Sequence, residues 1–223
     1  MTTTLILGAG EVGIALNVAL SRNYLVEMHD PLKGILAPQR YFSHLHVTFP
    51  YSGEFMAQVR EYQERFRPEF TIIHSTVPVG ISRQLNAIHS PIRGLHPHLA
   101  ESIQIFPKFL GGTHAPKVAD YFRKAGIKVI LVDHQETSEA LKLFDTEYYR
   151  VCIEFCQRVK KYCDGHNLNF HEVYTLGNLT YNDSYDKLGY PEFTRPVLQP
   201  MLQEIGGHCI RPNQELIKFS ETP

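Results

Sequence analysis

The chain of 223 residues carries 22 basic and 23 acidic side chains, and 43% of its residues are hydrophobic. This composition is typical of a globular protein of one large or two modest domains, and the balanced charge without a basic run argues against nucleic acid or anionic lipid as a partner. No apolar stretch is long enough to span a bilayer, so we expect a cytoplasmic protein. Its four cysteines lack the spacing of a disulfide scaffold and are expected to be reduced. The balanced charge favours a small molecule as the substrate.

The first predicted element is a short apolar strand at residues 3–7. It runs directly into a glycine turn, and a helical pattern begins within that turn. In such a unit the first glycine permits a tight turn, the second lets the backbone approach a diphosphate, and the third lets the helix pack on the strand. The alternative is a glycine turn without a ligand. We predict a dinucleotide site formed by Gly8, Gly10, Glu11, Val12 and Gly13.

The second predicted strand, residues 24–29, is followed directly by Asp30. A carboxylate about 20 residues beyond the glycine turn accepts hydrogen bonds from the adenosine ribose and repels a 2′-phosphate. We therefore predict NAD as the cofactor in preference to NADP. Only Lys33, close by in the sequence, favours NADP.

Further strand-like runs at residues 43–49, 69–75 and 127–132 alternate with helical segments such as 54–66 and 115–125. This alternation predicts an α/β fold in which a Rossmann-type, doubly wound parallel sheet occupies an NAD-binding domain at residues 1–133. Ligands bind at the carboxyl ends of such strands, so Pro50 and Ser75 join the predicted cofactor site. An apolar, glycine-ended segment at residues 106–112 is expected to be a loop before the last strand, with Lys108 on a solvated face and contact with an anion as the alternative.

After Val132 the sequence contains no further strand pattern. Thr137 is a predicted helix cap, and apolar residues at helical spacing continue to about Gly165. We predict that this long helix opens a smaller, all-helical domain at residues 134–223. Its expected roles are substrate binding and dimerisation.

Near the C-terminus stands the run Gly206-Gly207-His208-Cys209. Two glycines let a ligand approach and leave the cysteine sulfur uncrowded, as a thiolate nucleophile requires. A free thiol titrates at about 8.5, so a cation or base such as Lys142 or His208 has to lower its pKa. A buried structural cysteine after a glycine turn is the alternative.

Four motifs in order resemble the UDP-glucose and UDP-N-acetylmannosamine dehydrogenase family: GAGEVG at the start, STVPVG at residues 75–80, Lys142 early in the long helix, and GGHCI near the end. The resemblance implies an NAD-dependent, two-step oxidation of a sugar-nucleotide alcohol to a carboxylate. It implies that Cys209 captures the aldehyde and that Lys142 stabilises oxyanions and moves protons. Thr76 would lie beside the cofactor and the substrate.

The sequence also departs from this family. Thr146 stands where the family usually has asparagine, and Asn213 stands where it usually has an aspartate that assists proton transfer. An amide cannot act as a general base. A third domain, which holds much of the substrate nucleotide in the family, has no counterpart before Pro223. Three alternatives stay open: oxidation of a simpler alcohol or hydroxy acid, as in β-hydroxyacid dehydrogenases; a prephenate-type dehydrogenase; and a non-catalytic NAD-binding partner or sensor.

A loop after the STVPVG segment is expected to face the substrate. Arg93 can clamp a carboxylate or phosphate there, and His96 is a further candidate. We predict as substrate-binding residues Arg93, His96, His208, Asn213 and Thr146. His96 and His98 have the spacing of a metal pair, but no third ligand is evident and no metal site is predicted.

The long helix at residues 137–165 has apolar residues spread over a wide arc. Wide apolar coverage indicates two packing partners, and the equivalent helix in the resembled family packs on a second subunit. We therefore predict a homodimer. Three cysteines of this helix are expected to belong to its buried apolar stripe, with a metal site as the alternative: Cys152, Cys156 and Cys163.

Overall fold

The computed structural model describes residues 2–200 and 213–217. Its centre is a seven-stranded sheet in the spatial order β2-β1-β3-β4-β5-β6-β7. The strands are β1 Thr3–Leu7, β2 Leu25–His29, β3 His44–Val47, β4 Phe70–Ile73, β5 Ile88–His89, β6 Lys108–Gly111 and β7 Val129–Val132. All neighbouring pairs are parallel except β5 and β6. The predicted α/β fold with a Rossmann-type sheet is confirmed, although the sheet is mixed rather than wholly parallel.

Seven α-helices connect and follow these strands. They are α1 Glu11–Leu20, α2 Phe55–Phe66, α3 Ile81–Gln84, α4 Leu99–Ile105, α5 Ala115–Lys124, α6 Gln135–Gly165 and α7 Gly177–Lys187. A π-helical segment, His171–Leu176, leads into α7, and residues 213–217 are helical. In the described part of the chain, helices and turns are the only elements after Val132, as the sequence predicts.

Apolar side chains cover both faces of the sheet because successive strand residues point to opposite sides. On one face, Ile6 and Ile72 pack in a cluster that includes side chains of α1, α4 and α5. On the other face, Leu5 and Ile73 pack in a second cluster with side chains of α2 and α3. This two-sided covering is the doubly wound arrangement.

Two predictions about local structure are wrong. The segment 106–112 is not a loop, because its residues Lys108–Gly111 form β6 and pair with β7. The predicted cap Thr137 lies inside α6, which begins at Gln135. Tertiary contacts set this start: the absent Cβ of Gly111 leaves room for the carbonyl of His134, and Gln135 Nε2 donates to the carbonyl of Ala87 at 3.1 Å.

Lys108 is 5% exposed, so its predicted place on a solvated face is wrong. Its Nζ donates a hydrogen bond of 3.1 Å to the carbonyl of Ser90 and lies 5.5 Å from the ring centroid of Phe122. Burial disfavours the charged form and lowers the pKa of Lys108 to about 7. The carbonyl and the aromatic ring are what makes this buried position tolerable for an ammonium group.

A row of buried polar side chains crosses the same face of the sheet. Thr4 Oγ1 lies 2.9 Å from Tyr121 Oη, which lies 3.1 Å from His46 Nε2. His46 Nδ1 lies 2.8 Å from His74 Nε2, and His74 Nδ1 lies 2.6 Å from the Ser90 carbonyl oxygen. Burial lowers the pKa of both histidines well below the ordinary value. The row therefore consists of neutral imidazoles that satisfy one another.

Two further histidines are buried beside this row. His44 stacks on Tyr121 with ring centroids 4.1 Å apart, and burial lowers its pKa to about 4. His89 Nδ1 lies 2.8 Å from Ser138 Oγ, and burial lowers its pKa to about 3. Both imidazoles are neutral at physiological pH.

The described chain forms two compact units, with one reaching to Leu143 and including Leu216, and the other spanning Phe144–Glu215. The division falls inside α6. None of the helices in the described residues combines the length and the apolar composition that a membrane span requires.

Candidate functional site

The glycine turn after β1 has the geometry that its sequence predicts. Gly8 has a φ of +98°, a left-handed conformation that glycine adopts at no cost. A Cβ on Gly13 would lie less than 3.0 Å from the Gly8 carbonyl oxygen, so only glycine lets α1 approach β1 this closely. A Cβ on Gly10 would meet no atom within 4 Å. Protein atoms therefore fill the space next to Gly8 and Gly13, whereas the space next to Gly10 is free of protein atoms.

The start of α1 lies at this open side. Its first intrahelical bond is donated by the Ile14 amide to the carbonyl of Gly10, at 2.9 Å. No side chain in the described part of the chain caps the helix at Gly10. The preceding amides consequently retain the partial positive charge of a helix N-terminus, which favours an anion. These features fit the diphosphate of a dinucleotide.

Asp30, directly after β2, is joined to the glycine turn. The Ala9 amide donates to Asp30 Oδ2 at 2.8 Å, while Lys33 Nζ donates to the Ala9 carbonyl at 2.6 Å. The peptide groups of Ala9 are thus held from both sides. The half-buried carboxylate of Asp30 stands beside the turn, where a bound adenosine ribose requires an acceptor.

The ends of four parallel strands are aligned at this edge of the sheet. Leu7 is in register with His29 and Val47, and Val47 is in register with Ile73. The segments that follow these positions therefore emerge side by side. They carry the predicted cofactor residues Gly8, Asp30, Pro50 and Ser75.

Ser75 and Thr76 follow β4 at the same edge. Ser75 is buried, and its Oγ donates to the carbonyl of Phe49 at 2.6 Å, which ties the β4 end to the β3 end. Thr76 is half-buried and Pro50 is exposed. Ser75 therefore supports the backbone of this edge through its hydroxyl, whereas Thr76 and Pro50 retain accessible surface.

Glu139 on α6 is a site residue that the sequence interpretation missed. Its completely buried carboxylate accepts hydrogen bonds from the amides of Gly80 at 2.6 Å and Ser82 at 2.8 Å. Burial raises the pKa of Glu139, and these hydrogen bonds oppose the rise. The carboxylate joins the end of the STVPVG segment to the helical turn just before Lys142. The available signal was an acidic residue one helical turn before the predicted lysine.

Lys142 is half-buried on α6, inside the first unit. The fully buried His89 has its pKa lowered first by burial and further by the charges of Lys108 and Lys142. The first two turns of α6 are therefore joined to the strand edge by Glu139 and by the contact of His89 with Ser138. This arrangement fixes the start of the helix that carries Lys142.

The structure separates the two predicted residues of the loop before α4. The Arg93 guanidinium lies 5.8 Å from the ring centroids of both Phe106 and Phe109, beside a cavity of about 10 Å³ that it shares with Lys108. His96 Nδ1 instead lies 2.7 Å from Glu11 Oε2 at the start of α1. His96 is thus adjacent to the predicted cofactor turn.

The remaining predicted residues belong to other parts of the chain. Thr146 is half-buried on α6 and Asn213 is buried, and both fall in the second unit. Cys209 and His208 lie outside the described residues. The roles of Cys209 as nucleophile and of Lys142 as its partner stay predictions. On α6, Cys156 and Cys163 are buried, as expected for an apolar stripe, and Cys152 is partly exposed.

No protein-family model matches the sequence, and no curated protein matches it. Among solved structures, a UDP-D-ManNAc dehydrogenase from Pyrococcus horikoshii is 17% identical with a TM-score of 0.78, over 100% of this chain and 65% of that chain. A UDP-N-acetyl-mannosamine dehydrogenase from S. aureus is 15% identical with a TM-score of 0.67, over 98% of this chain and 66% of that chain.

A 3-hydroxyisobutyrate dehydrogenase from Mycobacterium tuberculosis is 15% identical with a TM-score of 0.62, over 79% of this chain and 69% of that chain. At these identities the likeness shows a shared fold. The chain spans less than two thirds of the length of the two nucleotide-sugar dehydrogenases.

Proposed function

We propose that the chain is an NAD-dependent dehydrogenase that oxidises a CH–OH group. The observation that carries the proposal is the uncapped start of α1, open at Gly10 and flanked by Asp30. A diphosphate at Gly8, Gly10, Glu11, Val12 and Gly13 would bind the helix amides. Asp30 would then face the adenosine ribose, and Pro50, Ser75 and Thr76 would line the path toward the nicotinamide.

When bound, NAD accepts a hydride from the alcohol carbon of the substrate. In the proposed reaction Lys142 accepts the alcohol proton as the hydride leaves, and the resulting ammonium then stabilises negative charge on the substrate oxygen. For a primary alcohol, Cys209 would add as a thiolate to the aldehyde carbon; transfer of a second hydride would leave a thioester, and water would release the carboxylate and return the thiolate. Glu139 keeps the turn that follows Thr76 attached to the helix of Lys142.

The proposed substrate is a sugar-like alcohol or a hydroxy acid. Two of the similar structures are named as UDP-N-acetylmannosamine dehydrogenases, and another as a 3-hydroxyisobutyrate dehydrogenase. Both classes of substrate present an alcohol carbon from which a hydride can be transferred to NAD. A prephenate-type substrate is a further alternative for the same two-electron chemistry.

A second candidate function is a non-catalytic NAD-binding partner or sensor. Two residues favour it. Thr146 lacks the amide donor, and Asn213 lacks the carboxylate base, that the resembled family has at the respective position. The two functions share the cofactor site and differ in turnover. Incubation with NAD and candidate sugar nucleotides, sugar acids and 3-hydroxy acids, followed by absorbance of reduced nicotinamide, distinguishes them.

The substitution Gly10→Ala tests the cofactor site directly. The added methyl group meets no protein atom within 4 Å, so the free energy of unfolding is expected to change by less than about 1 kcal/mol. The same methyl group would occupy the space through which a diphosphate reaches the backbone. We expect NAD affinity, measured by isothermal titration calorimetry, to fall at least about tenfold.

Gly165→Ala is the matched control, because its methyl group also meets no atom within 4 Å and Gly165 is the last residue of α6, in the second unit. It is expected to leave NAD affinity unchanged. Absence of NAD binding by the unsubstituted protein, or equal affinity of Gly10→Ala, would contradict the proposed cofactor site.

We also propose that the protein is a homodimer through α6. Five apolar side chains on this helix recur at spacings of three, four and seven residues and are 47% to 64% exposed: Phe144, Tyr148, Val151, Phe155 and Tyr162. This spacing places them in one stripe, as on a helix that packs against another helix. Light scattering at micromolar concentration should give the mass of two chains. Phe144→Glu should give one chain, and Lys161→Glu, off the stripe, should leave two.

A further inference from the structure

Glu11 is an acidic residue at a position where the proposed cofactor brings negative charge. It is the first residue of α1 and lies in the turn proposed to hold the diphosphate. A carboxylate is favourable at a helix N-terminus that holds no anion, but it repels a second anion bound there. The side chain is 49% exposed, so solvent weakens this repulsion without removing it.

His96 meets this carboxylate. Its Nδ1 lies 2.7 Å from Glu11 Oε2, and it is also 49% exposed. With a protonated imidazole the pair carries no net charge, and with a neutral imidazole it carries one negative charge. The charge facing the diphosphate therefore depends on one proton at His96.

The position of His96 is set by the packing of α4. Gly94, two residues earlier, approaches Ser102 so closely that a Cβ would overlap its side chain, and the Leu95 amide donates to Ser102 Oγ at 3.2 Å. Side chains of α4 and α1, including Leu99 and Leu16, belong to the same apolar cluster. The loop that carries His96 is thus attached to a helix that packs in common with α1.

We propose that His96 is a cofactor-binding residue, which neutralises Glu11 so that dinucleotide binding is accompanied by proton uptake at His96. The inference rests on the proposed NAD site. Negative charge of the diphosphate favours the protonated imidazole, and by reciprocity the protonated imidazole favours the diphosphate. His96 therefore acts on the adenosine diphosphate half of the cofactor, not on the substrate.

The other charged groups around this loop and turn have different partners. Lys33 and Asp30 hold the peptide groups of Ala9. His98 is the residue just before α4, and its Nδ1 lies 3.6 Å from Glu101 Oε2, with both side chains more than half exposed. Arg93, at the start of the loop, lies against two phenylalanine rings. His98 is consequently the matched control, since it is an exposed histidine on the same loop with its own carboxylate partner.

The test is calorimetric titration of NAD into the unsubstituted protein and into His96→Gln, His98→Gln and Glu11→Gln, at about pH 6.5 and about pH 8. The unsubstituted protein and His98→Gln should bind NAD about two- to threefold more tightly at the lower pH. The NAD affinity of His96→Gln should be the same at both pH values. It should equal the weaker affinity that the unsubstituted protein has at the higher pH. Glu11→Gln should bind more tightly than the unsubstituted protein at the higher pH.

Titration in two buffers of different ionisation enthalpy counts the protons. A fraction of a proton should be taken up per NAD bound at about pH 7 by the unsubstituted protein and His98→Gln, and none by His96→Gln. Binding with the same affinity and proton count in His96→Gln as in the unsubstituted protein would overturn the inference and leave the NAD site standing. Absence of NAD binding in the unsubstituted protein would overturn the proposed site and the inference with it.

Discussion

Acidification below about pH 6.5 is expected to unfold the sheet-containing unit over a narrow pH range. Five buried histidines have folded-state pKa values below the ordinary value of 6.5, with the large shifts at the last four: His29, His44, His46, His74 and His89. In the unfolded chain each of them binds a proton as the pH falls through about 6.5, while in the folded chain it stays neutral. The unfolded state therefore binds more protons, and stability is lost as the pH falls.

The expected slope is large. Each histidine with a large shift removes about 1.4 kcal/mol of stability per pH unit below its unfolded pKa, so His44, His46, His74 and His89 together remove about 5.5 kcal/mol per pH unit. A domain of ordinary stability, about 5–15 kcal/mol, would then unfold roughly one to three pH units below 6.5. Lys108, with a pKa lowered to about 7, acts in the same direction above neutrality, so stability should rise further from about pH 7 to about pH 10.

Denaturant unfolding followed by circular dichroism at a series of pH values measures this slope. His44→Phe is the informative variant, because the ring of His44 stacks on Tyr121 and its Nδ1 has no hydrogen-bond partner among the described residues. Phenylalanine should preserve the stack and reduce the slope by about 1.4 kcal/mol per pH unit. His98→Gln, at an exposed histidine, should leave the slope unchanged. A slope of about 1.4 kcal/mol per pH unit or less, which a single histidine would produce, would contradict the neutral state of the buried histidines.

Gly13→Ala is expected to destabilise the protein by about 3 kcal/mol or more, at the upper end of overpacking effects. The new Cβ would lie less than 3.0 Å from the carbonyl oxygen of Gly8 and 2.9 Å from Thr48 Oγ1. Neither atom can yield easily. Gly8 is fixed in its left-handed conformation, and Thr48 Oγ1 donates to the carbonyls of Leu7 at 2.7 Å and Gly8 at 3.1 Å. Helix α1 would have to move away from β1.

Chemical denaturation at neutral pH measures the loss, with Gly53→Ala as the control because its methyl group meets nothing within 4 Å. The control should change the free energy of unfolding by less than about 0.5 kcal/mol. Gly13→Ala and Gly10→Ala should also differ from each other, since the first loses stability and the second loses NAD affinity. A Gly13→Ala protein as stable as the control would mean that helix and strand approach less closely than described.

The parts of the fold predicted from sequence are those encoded by local spacing. The glycine turn and Asp30 can be recognised in the sequence because the tight turn and the close approach of the helix require glycine, and the ribose requires an acidic residue about 20 residues later. The ends of β5 and β6 are not recognisable in this way. β5 has only two residues, and β6 begins with Lys108, whose burial depends on a carbonyl and a ring supplied by distant segments.

The candidate site shows the same limit. Sequence position alone predicts that His96 faces the substrate, whereas its contact with Glu11 depends on the packing of α4 against α1, which are distant in the sequence. In β3, His44 and His46 occupy alternate positions that face the core, against the usual rule that such positions are apolar. Their partners are Tyr121 on α5 and His74 just after β4, so the sequence around β3 does not reveal these contacts.

The Ser90 carbonyl gives the buried polar row a fixed hydrogen order. A carbonyl can only accept, so the Nδ1 of a neutral His74 donates to it, His46 Nδ1 donates to His74 Nε2, and the tyrosine hydroxyl donates to His46. The groups of the row come from β1, β3, α5 and the segments just after β4 and β5. If any one of these were missing, a buried donor or acceptor would have no hydrogen-bond partner. Partly assembled sheets are therefore higher in free energy than the complete sheet. We expect the unit to fold in an all-or-none manner, because the hydrogen bonds of the row are complete only when all of its segments are in place.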